Sequence, residues 1–167
     1  CPITQPADAQ SGLGEVQVRL PEGVWTDFFT DRRYRGGRSL LLYRPLESIP
    51  VLVREGAILP LDGNPVPSNG TALPSSIVFH LYPGQEGKTA LIEDNGRLPA
   101  DPAYRSVVTR IHMSGTAPFR LVIDPPEGDL SLLPEDRSYQ LVFHGYQPAG
   151  AVGEAAGQVP GNLLFVA

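Results

Sequence analysis

LPEGVWTDFFTDRRYRGGRSLLLYRPLESIPVLVREGAILPL, residues Leu20 to Leu61, is the stretch that decides the fold. Pro21-Glu22-Gly23 reads as a turn that presents the lone tryptophan, Trp25. A tight Gly36-Gly37 turn follows, then Leu40-Leu41-Leu42-Tyr43, an apolar run of strand length. Ile49 to Arg54 is a second such run, with Pro50 near its start, where a missing N–H does least harm. Gly56 turns the chain into Ala57-Ile58-Leu59. Short runs closed off by glycine and proline predict strands joined by turns.

The same texture extends outward. Upstream, Glu15 to Leu20 alternates polar and apolar residues, which puts Val16, Val18 and Leu20 on one face of a half-buried strand. Downstream, Asp62 to Ser76 is rich in proline, glycine and asparagine and reads as a loop. Ile77–Tyr82, Thr89–Ile92, Tyr104–Met113, Phe119–Ile123, Tyr139–His144 and Asn162–Val166 are further strand candidates, with a loop over Gly145 to Gly161. The total is about ten strands, and no stretch has a period near 3.6. Gly and Pro number 18 each in 167 residues. Helices do not tolerate that, since an interior glycine costs about 1 kcal/mol and an interior proline about 3 kcal/mol. The expected fold is all-β: two antiparallel β-sandwich domains.

Charge and composition exclude several functions. The net charge is −5, and no basic stripe offers itself to a phosphate backbone, so nucleic acid is not an expected partner. No apolar run is long enough to span a membrane as a helix. The lone cysteine, Cys1, can form no internal disulfide, which leans toward a cytoplasmic origin. Cys1-Pro2-Ile3-Thr4 reads as the middle of a longer polypeptide, so the true N-terminus is expected to lie upstream.

Few residues suggest chemistry. Of 18 acidic residues, nearly all fall in turns, among them Glu22, Asp62, Asp101, Asp124, Glu127, Asp129 and Glu135-Asp136, where carboxylates mostly cap backbone or face solvent. His80, His112 and His144 each fall in a predicted strand without the short spacing of a metal pair, and read as solvent-facing strand residues. Glu93-Asp94-Asn95-Gly96 has the oxygen ligands calcium uses but not their extended spacing, and reads as a hairpin turn. No catalytic residue, metal ligand or cofactor is expected. Trp25, Phe28, Phe29 and Tyr34 remain: either they stack on sugar rings, with Trp25 and Tyr34 the candidate platform, or they seal the sandwich or its seam against a neighbouring domain, which is the plainer reading.

Several motifs resemble one family. Leu20-Pro21-Glu22-Gly23-Val24-Trp25, Asp27-Phe28, Gly36-Gly37, Pro45-Leu46, Ile49-Pro50, Val53-Arg54 and Gly56-Ala57-Ile58-Leu59-Pro60 resemble the β-sandwich that follows the catalytic barrel in glycoside hydrolase family 31, the α-glucosidases and α-xylosidases. Leu81-Tyr82-Pro83-Gly84 and Glu93-Asp94-Asn95-Gly96 resemble elements before and at the opening of the distal domain, with Asn95 where the family usually has aspartate. The resemblance is strong over residues 1–97. It implies a proximal sandwich over residues 1–84, with 1–14 the connector from the barrel, and a distal sandwich over 85–167. It implies a parent enzyme that hydrolyses terminal α-glucosidic or α-xylosidic bonds with retention, through two aspartates on a (β/α)₈ barrel. The family's tryptophan-x-aspartate-methionine-asparagine-glutamate signature does not occur here, so no position inherits a catalytic role. The expected function is non-catalytic: support of that barrel as the partner, or alternatively a carbohydrate-binding module.

Overall fold

The computed structural model describes residues 1–6, 8–45, 47–66, 72–84, 86–115, 119–145, 155–156 and 163–166. The chain divides into two compact units, Cys1–Glu55 and Gly56–Ala167. Every extended regular element is a strand; the one exception among the described residues is a single 3₁₀ turn, Leu130–Leu132.

The first unit holds β1 (Gly14–Leu20), β2 (Val24–Asp27), β3 (Arg33–Arg35), β4 (Arg38–Arg44) and β5 (Leu52–Arg54). β1 and β4 pair antiparallel from Gly14↔Arg44 to Leu20↔Arg38, and β3-β2-β5 form a second antiparallel sheet. The alternation of β1 is observed: Val16 and Leu20 are buried and Val18 half-buried. Leu42, Thr26 and Val53 add buried positions from the other strands. The 1–14 segment is tied to β1 by Gln5↔Glu15 and by the Thr4 amide donating to the Glu15 carbonyl at 3.2 Å. Trp25 follows the Pro21-Glu22-Gly23 turn in strand β2; four residues are too few for alternation to be legible, and the strand exists through its two partners. One reading needs correction here. The Ile49–Arg54 run is regular only over Leu52–Arg54.

The second unit holds β6 (Ile58–Asp62), β7 (Ser76–Leu81), β8 (Glu86–Asp94), β9 (Ser106–Ser114), β10 (Arg120–Ile123), β11 (Glu127–Gly128), β12 (Ser138–Phe143), β13 (Ala155–Ala156) and β14 (Leu163–Val166). One sheet runs β13-β12-β7-β6; the other runs β11-β9-β10-β14, with β8 also on β9. Inward residues of both sheets make one core, led by Phe79, Leu81, Ile111, Phe119 and Leu121, all fully buried. β7 and β9 alternate strictly over Ile77–Leu81 and Val107–Met113, as half-buried strands must. Gly56, at φ 84°, and Gly87 cross so closely that a Cβ on either would meet the other's strand backbone, at 2.4 Å from the Glu86 carbonyl oxygen and 2.2 Å from that of Gly56.

The all-β expectation is met, with one departure from antiparallel pairing among the described residues: β7 and β12 run parallel, Ser76↔Ser138 to Leu81↔Phe143. The intervening strands supply the crossover that parallel neighbours require. That pairing also bears on the division expected at Gly84. It joins residues on both sides of Gly84 in one sheet, and the compact units part between Glu55 and Gly56. The expected hairpin turn at Glu93–Gly96 is instead the start of a longer connection, residues 95–105. Asn95 closes it by donating to the Ala103 carbonyl at 2.8 Å and accepting from the Arg105 amide at 3.3 Å. Of the expected Gly145–Gly161 loop, residues 146–154 and 157–161 lie outside the described residues, as do 67–71 of the Asp62–Ser76 loop and Leu46 of the Pro45-Leu46 motif.

Candidate functional site

The sugar-stacking candidates are brought together by sheet register. β2 is the middle strand of its sheet, and Trp25 stands opposite Tyr34 of β3 on one side and Arg54 of β5 on the other. Residues directly opposite across a sheet share a face, so Tyr34, Trp25 and Arg54 form one row. Trp25 and Tyr34 are half-buried and Arg54 is exposed. The indole is fixed: its Nε1–H donates to the Pro21 carbonyl at 3.0 Å. The chain must pass so close here that a Cβ on Gly36 would lie 1.8 Å from the Pro21 oxygen and 3.0 Å from the indole nitrogen. Phe28 and Phe29 follow β2 and meet each other edge-on, with ring centroids 5.1 Å apart.

The buried acids are structural. Among the described residues the buried carboxylates are Asp27 and Glu93. Asp27 accepts from the Phe29 and Thr30 amides, both at 3.1 Å, and from Arg44 Nη2. It thus pins the 28–32 turn and links β2 to β4. Glu93 faces inward and takes both terminal nitrogens of Arg137, at 2.8 and 3.0 Å, in a fork that holds β8 to the start of β12. With each carboxylate committed to a guanidinium, neither is poised to give or take a proton in hydrolysis. Asp94 accepts from the Gly96 amide at 2.8 Å and Asp62 from the Asn64 amide at 2.8 Å, so both shape their own turns. They line a shallow cleft of about 560 Å³ with Leu61, Leu91 and Ile92.

Two of the three histidines, His80 and His144, depart from the solvent-facing expectation. His80 on β7 and His144 just after β12 meet with Nδ1 and Nε2 2.7 Å apart, and the Tyr82 ring stacks on His144 at 4.5 Å. His144 is buried. One N–H fits between the two ring nitrogens; a pair with both rings charged would set two donors against each other. The 64-residue separation hid this contact, which parallel β7–β12 pairing creates. His112 stays exposed, its Nε2 2.9 Å from Asp124. Among the described residues no three His, Cys, Asp or Glu side chains gather into a metal-holding group.

Residues 1–59 match the model of the glycosyl hydrolase family 31 C-terminal domain. Over those residues the chain is similar to the family 31 C-terminal domain. The family 31 match ends four residues past Glu55, where the first compact unit ends. Residues of the chain are 36% identical over 96 positions to an alpha-xylosidase of Saccharolobus solfataricus, covering 57% of this chain and 12% of that protein. They are 31% identical over 78 positions to an isomaltosyltransferase of Sporosarcina globispora, covering 43% of this chain and 7% of that one. The chain therefore spans about an eighth or less of these relatives. The fold is similar to that of a family 31 alpha-xylosidase from Xanthomonas citri, with TM-score 0.67 at 22% identity over 92% of this chain and 17% of that one. A family 31 dextranase from Flavobacterium johnsoniae gives 0.62 at 22% identity, over 82% and 17%.

Proposed function

We propose that this family 31 region is the non-catalytic support of a larger α-glycosidase, whose acids sit on a barrel outside these residues. The match over residues 1–59 carries the reading. Two observations support it. Neither buried carboxylate is available for glycoside chemistry, and the first unit leaves large apolar side chains in the open: Phe29 is 63% exposed, Leu41 51% and Ile49 50%. Side chains of this kind are costly in water and usable at a domain seam. The test removes residues from Cys1 onward from the parent enzyme. We expect lower stability and activity; a truncated enzyme as stable and active as the whole contradicts the support role.

The parent's substrate is a terminal α-glycoside cleaved with retention. An α-xyloside is favoured over an α-glucoside, because the alpha-xylosidase relative has the higher identity over the longer stretch. Turnover of chromogenic α-xyloside and α-glucoside by the parent decides between them. A product carrying a transferred sugar instead of a released one points to transfer chemistry, as in the isomaltosyltransferase's name.

A further inference from the structure

We propose that the row Tyr34–Trp25–Arg54 is a binding strip for a neutral oligosaccharide. The three side chains stand abreast on adjacent strands. At a strand spacing near 4.8 Å the row is about 10 Å wide, enough for more than one sugar ring. A pyranose offers an apolar C–H face and a rim of hydroxyls. The aromatic residues match the face, and the ends of the row match the rim. Trp25 is already oriented, because its N–H is held by Pro21 and its edge lies against Gly36. Ordering that a ligand would otherwise have to impose is thus in place.

The polar ends are unspent. Neither the Tyr34 hydroxyl nor the Arg54 guanidinium has a hydrogen bond or ion pair among the described residues. Arg54 lies across Gly23, whose φ is 120° and whose added Cβ would sit 3.2 Å from the guanidinium Nε. Trp, Tyr and Arg also anchor protein interfaces. Here the sugar is favoured, because donors at both ends of the row have no partner among the described residues, while the exposed apolar side chains suited to a protein seam, Phe29, Leu41 and Ile49, lie off it. The inference does not rest on the support role, and either can fail alone.

The test uses Trp25 itself, the one tryptophan of the 167 residues. The chain is titrated with maltotriose, isomaltotriose and glucose while tryptophan fluorescence is followed. The strip predicts a saturable change at millimolar trisaccharide, with weaker binding of glucose. Tyr34→Ala and Arg54→Gln should each weaken the trisaccharide about threefold to tenfold. Each variant is first shown to melt cooperatively like the parent; if Tyr34→Ala does not fold, Tyr34→Phe and Arg54→Gln carry the comparison, since both remove only polar ends. Fluorescence unmoved by millimolar sugar assigns the row to a protein contact and overturns the proposal. So does binding that survives the substitutions unchanged.

Discussion

Gly36 has no room for a side chain. A Cβ would stand 1.8 Å from the Pro21 oxygen, a backbone atom that cannot swing aside, and against the Trp25 nitrogen. Gly36→Ala should therefore cost on the order of 3 kcal/mol and loosen the first unit. Thermal melting read by Trp25 fluorescence measures it, and an unchanged midpoint contradicts the close approach. Asp27 makes a second residue-scale prediction. It is fully buried and serves Arg44 and two amides, so Asp27→Ala strands a guanidinium and opens the turn. The expected loss is about 3 kcal/mol, read in the same melt; a loss under about 1 kcal/mol would mean the pair is a surface contact. Sequence marked both positions, Gly36 as a turn glycine and Asp27 inside a family motif, but not their reasons. The contacts that decide them reach from residue 36 to residue 21 and from 27 to 44.

Strands were legible where they are long enough to alternate. β1, β7 and β9 each bury every second residue over much of their length, and this shows in Glu15–Leu20, Ile77–Tyr82 and Tyr104–Met113. β2 and β3 are too short to show a period, and Arg33-Tyr34-Arg35 has no apolar face of its own. Direction of pairing was not legible either, since alternation is the same in parallel and antiparallel strands. That is why the His80–His144 contact was missed. The Glu93–Arg137 fork was missed for another reason: both charges adjoin turn residues, where solvation is the ordinary outcome. Its energetics are testable as a cycle. Arg137→Met alone leaves a buried carboxylate and should cost about 3–5 kcal/mol, whereas Glu93→Leu with Arg137→Met should recover most of that loss. A double variant no better than the single one contradicts a closed, dry pair. Tyr139 on β12 contributes to stability at the alkaline end. Burial raises its phenol from the ordinary 10.0. Folding therefore favours the neutral form, and this contribution is complete below pH about 10 and fades as pH rises through the higher folded value. Melts of the parent and Tyr139→Phe across that range should show the parent losing ground to the variant only at the alkaline end; a gap that ignores pH contradicts the shift.

At the scale of the molecule, turn-rich composition produced the all-β class directly, because frequent glycine and proline leave strands as the regular structure a chain this punctuated can hold. The line between compact units was harder to read. The resemblance puts a border near Gly84, whereas β7 and β12, on either side of it, share one sheet and the compact units part between Glu55 and Gly56. Among the described residues the buried carboxylates, Asp27 and Glu93, hold sheets together through Arg44 and Arg137, whereas catalysis by retention needs two carboxylates that face a sugar. The most direct measurement is turnover of chromogenic α-xyloside and α-glucoside by the purified 167-residue chain, at enzyme-free background sensitivity. The prediction is no release above background at any pH where the chain is folded. Release that scales with protein concentration, and is abolished by a substitution at one of its carboxylates, would contradict the account.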